Sequence, residues 1–507
     1  MTGETPPNIL LVVWDACRRD YAIEHATNLA ELASSNVWFE NAIAPNPWSL
    51  PSHASIFTGE YPHEHGCHRL DGNIKTTLLD ELSKIDYTTY GISANGFASQ
   101  RTGFHKGFDN FRYTGGRELY ADGMDISGFA QDYMGGREEN SYDLSSKSDA
   151  LWEILRQIPH QDNPLKSLTN LSSVALGEAA NVLPWLQNIP HPIFAPDSGY
   201  LYSPWKNTHA FQSIIEEHDS SSPFFMFMNY MDTHRPYKPR DELQKKHVGE
   251  RLNYRELLRL NEDVAYPWEF IDALQKNRLN KEDVEKIREL YAGEIETVDE
   301  HLERIIKTLD EFGYLDDTLI IVTSDHGENL GESDKRNKRR MGHEASVSDA
   351  VLRVPLMLAH PEIESWNIEK PVSLKNIYSL ILNASLVVET AGDEIRNLLL
   401  SDDIVESQYP ATGGQRFFEK HPDVPEEIIH HRVSHHSTVV YNQEWKVIAE
   451  STGDRWAGNK TGDQDLAEVP TKLVTTAENH LSEFQVTEDD NKLSDEDITQ
   501  LEALGYM

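Results

Sequence analysis

The sequence predicts an α/β fold with a mostly parallel central sheet, followed by a small antiparallel subdomain. Three observations predict it. Short apolar runs end in polar residues that can carry chemistry: Ile9–Trp14 delivers Asp15, Pro223–Tyr230 delivers Asp232 and His234, and Thr318–Ser324 delivers Asp325. Such unbroken runs suit strands buried on both faces. Helical patterns separate them, and repeated strand-helix-strand order builds a doubly wound parallel sheet. Beyond about residue 401 the pattern changes to hairpins and glycine turns.

The elements follow in order. Ala26–Ser35 reads as a helix, Val37–Phe39 as a short strand, Thr76–Ser83 as a helix and Thr88–Ser93 as a strand. Residues 112–222 are less regular, with paired glycines and many prolines, and read as an insertion covering the edge of the sheet. Ile295, Val298, Leu302, Ile305, Ile306, Leu309 and Phe312 recur at helical spacing, so they form one apolar face that Gly313 terminates. Ser437–Tyr441 and Trp445–Ala449 read as a hairpin around 442–444. Ser494 to Leu504 reads as a short capped helix. The domain boundaries expected are 7–400 and 401–507, within a chain of 507 residues.

Composition narrows the function. There are 46 Lys and Arg against 84 Asp and Glu, a net charge of −38 spread along the whole chain. That balance excludes non-specific nucleic-acid binding, which needs cations against phosphate. It fits a solvated acidic surface and suggests a halophilic host, where salt screens the repulsion. Cys17 and Cys67 show no metal or disulfide spacing and read as ordinary thiols. No run approaches the roughly 20 apolar residues of a membrane span. The polar start has no basic segment ahead of an apolar core, so a cytoplasmic location is expected.

The candidate chemistry lies at strand ends. Ligands in open α/β sheets bind beyond the carboxyl ends of the strands, so Asp15 and the Asp325-His326 pair could meet at one sheet edge. Two carboxylates and an imidazole suit one divalent cation, Mg²⁺, Mn²⁺ or Ca²⁺. Ser49 precedes Pro51, which marks a first helical turn, and Gly59 closes the segment. Ser49 is then either a plain helix cap or a nucleophile held where the helix N-terminus attracts an anion. Arg336, Lys338, Arg339 and Arg340, followed by His343, form a dense basic cluster, which reads as a solvated loop or as a cationic clamp. The histidines of His63–His68 read as a surface group.

The run from Ser49 through Pro51, Ser52, Ala54, Ser55 and Thr58 to Gly59 resembles the nucleophile motif of the sulfatases, in the alkaline phosphatase superfamily. Asp15, Asp325-His326-Gly327-Glu328, Arg353-Val354-Pro355, the His234-Arg235-Pro236 element and the ending Leu501–Tyr506 fall in the order that family shows. The resemblance implies an alkaline-phosphatase-like α/β/α sandwich with a C-terminal antiparallel sheet. It implies one divalent cation on Asp15, Asp325, His326 and Ser49, with Ser49 as nucleophile. His234 or His343 would be the leaving-group acid, and His53, Asn95, Arg336 and Lys338 substrate contacts.

Two departures stand out. Ala16 follows Asp15 where the family usually has a second acid. His53 stands where the formylglycine-forming motif has Arg, which favours an unmodified Ser49. The expected function is hydrolysis of sulfate esters of a small molecule or glycan. Phosphodiester or phosphonate hydrolysis, or phosphoglycerol-type transfer, is the alternative within the same machinery. A catalytically silent binder of sulfated or phosphorylated glycans is the alternative outside it.

Overall fold

The computed structural model describes residues 6–68, 74–115, 144–161, 163–182, 204–264, 276–333, 339–343, 346–400, 402–410, 435–459 and 462–483, with single positions within 123–129 and 270–274. The expected terminal helix at 494–504 lies outside them.

The central sheet has eight strands, in the order 367–368, 37–39, 356–359, 318–323, 8–14, 224–230, 88–93 and 110–113. The five from 318–323 to 110–113 are all parallel. Leu356–Ala359 runs antiparallel to both its neighbours. The sheet is therefore mixed but mostly parallel, as the buried apolar runs require.

Side chains on a strand alternate between faces, and the first strand divides its residues accordingly. Ile9, Leu11 and Val13 enter one core with Leu50, Ala54, Ile56 and Phe57 of the helix Ser49–Thr58. Leu10, Val12 and Trp14 enter the other with Val298, Leu302, Ile305 and Leu309 of the helix Lys281–Glu311. Burying each such side chain is worth roughly 1.5–3 kcal/mol, so this strand is fixed from both sides. The long helix starts at a capping box of Asn280 and Asp283. Phe312, assigned by spacing to its apolar face, is the C-cap and 46% exposed. Gly313 follows at φ 76, the left-handed turn expected.

Within 112–222 the described residues include the helices Leu144–Gln157, Pro164–Val182 and Pro204–Glu217. The last is not a cover: Ala210, Phe211, Ile214 and Ile215 pack under the sheet. Proline at its first position starts this helix, although proline density had suggested irregular chain. The paired glycines at 135–136 lie outside the described residues.

At the C-terminal end, Val405–Tyr409, Ser437–Tyr441, Trp445–Glu450, Arg455–Asn459 and Gly462–Asp463 form an antiparallel sheet. Asn442 Oδ1 accepts from the amides of Glu444 and Trp445 and closes the expected hairpin. One face of this sheet packs on Ile43, Val351 and Leu352, and the other on the helix Thr471–Glu483. No helix among the described residues is long and apolar enough to cross a membrane.

Candidate metal centre and active site

Strand register brings the site together. Val13 pairs with Thr323, so Asp15 and Asp325, each two residues further on, stand level at one sheet edge. Ser93 pairs with Asn229, and Asn95 and Met231 lie two residues beyond. The Asp15 amide donates to Tyr230 O at 2.8 Å, extending the ladder to the carboxylate. Past Asp15 the chain turns at Ala16, whose φ of 60 is uncommon for a residue with a Cβ and costs on the order of 1 kcal/mol. That turn aims the Ala16 amide at Asp325 Oδ1, 3.2 Å away, and the Cys17 amide at Ser324 Oγ, 2.9 Å away. The phenol of Tyr291 donates to Ala16 O and accepts from the Arg18 amide, both at 2.8 Å.

Ser49 is the first residue of its helix, and Trp48 is the N-cap without a side-chain bond. The Ser49 hydroxyl caps nothing. Its Oγ donates to Asp15 Oδ2 at 3.2 Å and lies 3.2 Å from His326 Nε2. His326 Nδ1 is 2.9 Å from Gly327 O, and a carbonyl only accepts, so Nδ1 carries the proton. Nε2 is then the lone-pair nitrogen facing Ser49. Gly327 is required here, because a Cβ would sit 2.1 Å from Ala350 O.

Asp15, Asp325 and His326 are buried, and one ligand atom from each lies within 4.8 Å of the others. Asp15 Oδ1 and Asp325 Oδ2 are buried without a hydrogen-bond partner. Buried carboxylate oxygens left unbonded are costly unless something positive meets them. Two such oxygens beside an imidazole lone pair are the donor set of a hard divalent cation, so these residues fit one. Burial, and then the Asp325 charge, hold the Asp15 carboxyl well above the usual range. For Asp325 burial also acts upward, but His326, His53, the Ala16 amide and the Ser49 hydroxyl together bring the group below its usual value. Burial lowers His326 to about 4.

The remaining expected residues separate into three groups. His53 lies one helical turn past Ser49, its Nδ1 2.8 Å from Ser49 O and 3.6 Å from Asp325 Oδ2. Asn229 Nδ2 faces His53 Nε2 at 3.3 Å, and Phe104 and Phe227 meet the ring edge-on. Asn95 donates to Asp15 Oδ2, and its Oδ1 accepts from the Phe97 amide at 2.7 Å. Both side chains are spent inside the protein, on Asp15, Asp325 and the Ser49 carbonyl. His234 and His343 are buried beside the centre, with ring centroids 5.3 Å apart, and His343 is 4.2 Å from His326. Burial, then the neighbouring His343, hold His234 well below its usual value. Arg336 and Lys338 lie outside the described residues.

The His63–His68 group is not a loose surface patch. His65 Nε2 is 3.1 Å from Ser55 Oγ, and burial lowers that histidine to about 4. His63 reaches Gln408 in the C-terminal sheet. Tyr291 and Tyr237 carry no signal in the sequence pattern, and Glu328 stands in the Asp-His-Gly-Glu run without a role of its own. The structure places Glu328 against His343 and Tyr237.

The sulfatase family model matches residues 7–385. An arylsulfatase of Clostridium perfringens is 25% identical over 357 residues, covering 64% of each chain, so this chain spans under two thirds of that relative. The N-acetylglucosamine-6-O-sulfatase of Bacteroides thetaiotaomicron is 22% identical over 527 residues, covering 96% of this chain and 88% of its own. Among solved structures, the phosphonate monoester hydrolase of Agrobacterium radiobacter aligns with a TM-score of 0.58 at 17% identity, over 94% of this chain and 95% of its own. At that identity the likeness speaks for the fold alone.

Proposed function

The chain belongs to the sulfatase family, and we propose that it hydrolyses sulfate esters of a small molecule or glycan, with Ser49 or a formylglycine made from it as nucleophile. One observation carries this reading. Ser49 Oγ lies 3.2 Å from both Asp15 Oδ2 and His326 Nε2, beside a buried Asp-Asp-His cluster that could hold a cation.

Asp15, Asp325 and His326 would hold one divalent cation, Ca²⁺, Mg²⁺ or Mn²⁺. Bound there, it supplies positive charge to the ester oxygens and lowers the pKa of the nucleophile. In the serine form, Ser49 Oγ attacks sulfur in line and passes its proton to Asp15 Oδ2, to which it is hydrogen-bonded. An Oγ–S bond forms and the bond from sulfur to the leaving oxygen breaks, while His234 or His343 in its protonated form gives that oxygen a proton. Water then attacks sulfur and gives one proton back to the histidine, the Oγ–S bond breaks, Oγ recovers its proton from Asp15, and hydrogen sulfate leaves. Asn95 and His53 hold Asp15, Asp325 and the Ser49 turn in place. The acid-rich surface fits work in high salt.

A second reading keeps the machinery and changes the ester to a phosphonate or phosphodiester. It is favoured by His326 beside Asp325 and by His53 at the position of the motif arginine. Its nucleophile is unmodified Ser49. The test is turnover of 4-nitrophenyl sulfate, 4-nitrophenyl phenylphosphonate and bis(4-nitrophenyl) phosphate by the cation-loaded protein, with the mass of the Ser49 peptide read alongside. Sulfate turnover supports the first reading, and phosphonate or diester turnover with unmodified Ser49 moves the protein to the second. Cation binding with no turnover of any ester removes both and leaves a binder of such groups.

A further inference from the structure

Five large apolar side chains of the insertion stand in solvent. They belong to the helices Leu144–Gln157 and Pro164–Val182, which are joined through the turn Ile158–His160. A link this short makes the two helices antiparallel neighbours. Ala150, Ile154 and Ile158 recur at four-residue spacing and are buried. Leu171 and Val174 of the second helix pack against the cluster that Ile154 and Ile158 form with Met124 and Ile126. That seam uses one stripe of each helix. Beside it Leu151 is 45% exposed, Trp152 65%, Leu155 39%, Leu165 81% and Leu168 48%.

The two outer stripes join into one face. Each helical residue advances the side chain by about 100°, so Leu151 and Leu155 lie about 60° and 100° round the first helix from Ile154, with Trp152 beyond them. Leu168 and Leu165 lie about 60° and 120° round the second helix from Leu171, in the same rotational sense. Helices that run in opposite directions put such stripes on the same side of the pair. The largest apolar patch of a typical monomer is about 300–600 Å² and often functional, and five such side chains at these exposures reach that scale. A standard interface takes about 800 Å² from each partner, with somewhat over half of it apolar. This face therefore matches the apolar share of one side.

Charge selects the occupant. Acids make up 84 of the 507 residues, yet Pro164–Ala175 holds none, and one lysine, Lys166. On the first helix Glu153 is paired with Arg156 at 3.6 Å. Two chains, each of net charge −38, meet here without setting acid against acid. A helix that lies on a membrane instead rims its apolar face with Lys and Arg, and among the described residues this face offers only Lys166 besides the paired Arg156. We propose that Leu151, Trp152, Leu155, Leu165 and Leu168 form the interface with a second copy of this chain, related by a twofold axis, so that each hairpin packs on its counterpart. The contact is apolar and the bodies around it are acidic, so salt strengthens it. The screening length falls from about 8 Å at 0.15 M to about 3 Å at 1 M.

Sedimentation velocity of the full chain at micromolar concentration, in about 0.15 M and about 1 M KCl, tests this. A dimer is expected at the higher salt, with a Kd lower than at the lower salt by about tenfold or more. Two double variants probe the two helices separately: Leu165→Gln with Leu168→Gln, and Leu151→Gln with Trp152→Gln. All four side chains are exposed, so each variant should stay folded by circular dichroism. Each should weaken the dimer by about thirtyfold or more, the scale of a lost anchor at an interface. If one variant unfolds, the other decides; if both unfold, the face serves the fold and the proposal falls. A wild-type monomer at about 1 M KCl overturns the proposal, and flotation of that monomer with phosphatidylglycerol vesicles would assign the face to a membrane instead. A dimer that survives both variants unchanged also overturns it, because the contact then lies elsewhere.

Discussion

Tyr291→Phe is the substitution with the most to say about how this site is held. The ring stays in its edge-on contacts with Tyr21 and Tyr237, centroids 4.9 and 5.3 Å away, and only the hydroxyl goes. That hydroxyl serves two buried backbone groups, Ala16 O and the Arg18 amide, on either side of the turn at Ala16. A buried polar group left without its partner costs about 1–3 kcal/mol. Two of them give an expected loss of about 2–4 kcal/mol, since some relaxation will offset the sum. The effect should also reach the cation. Ala16 is the residue whose amide ties the Asp15 turn to Asp325 Oδ1, so loosening it should weaken divalent cation binding by roughly tenfold, as for other orienting partners. Urea unfolding of the cation-free protein reads the first quantity, and titration calorimetry with Mn²⁺ the second. A loss below about 0.5 kcal/mol, the range of an ordinary surface change, with unchanged affinity would refute the idea that this phenol holds the turn.

Other expectations concern the same few residues. Asp325→Ala should abolish divalent cation binding by calorimetry while the protein stays folded by circular dichroism; retained affinity would mean the site lies elsewhere. Gly327→Ala should cost about 1–3 kcal/mol, because its Cβ would meet Ala350 O at 2.1 Å and backbone must move; an unchanged unfolding midpoint would contradict the close approach. The pH dependence follows from Asp15, whose folded-state pKa is raised by burial and by Asp325. In the cation-free protein its contribution to stability is present below the unfolded value and lost as pH rises through the raised one. A cation that replaces the proton should therefore raise Tm more at about pH 8 than at about pH 5. A Tm increment that is flat over that window would show that Asp15 does not exchange a proton for the cation.

What the sequence displayed was the strand ends. Asp15 and Asp325 could be picked out because each interrupts an apolar run that only a buried strand explains. Ser49 was marked by Pro51 and Gly59, which bracket its helix. What joins these residues was not visible, since it depends on register: Val13 opposite Thr323 sets the two carboxylates level, and no local pattern states which strands are neighbours. The direction of a side chain was equally hidden. His53, four residues after Ser49, shares its helix face, and that spacing could have shown that it turns inward. The turn at Ala16 was illegible because alanine gives no sign of a positive φ. Pro204 misled, because proline opens helices as readily as it fills loops.

Ser49 as nucleophile is tested by turnover of 4-nitrophenyl sulfate and 4-nitrophenyl phenylphosphonate by cation-loaded protein, compared with Ser49→Ala under the same conditions. The wild-type protein should turn over at least one ester, with a fall on the order of a thousandfold or more without the Ser49 oxygen. Equal turnover in Ser49→Ala would contradict it, because the nucleophile would then be some other group.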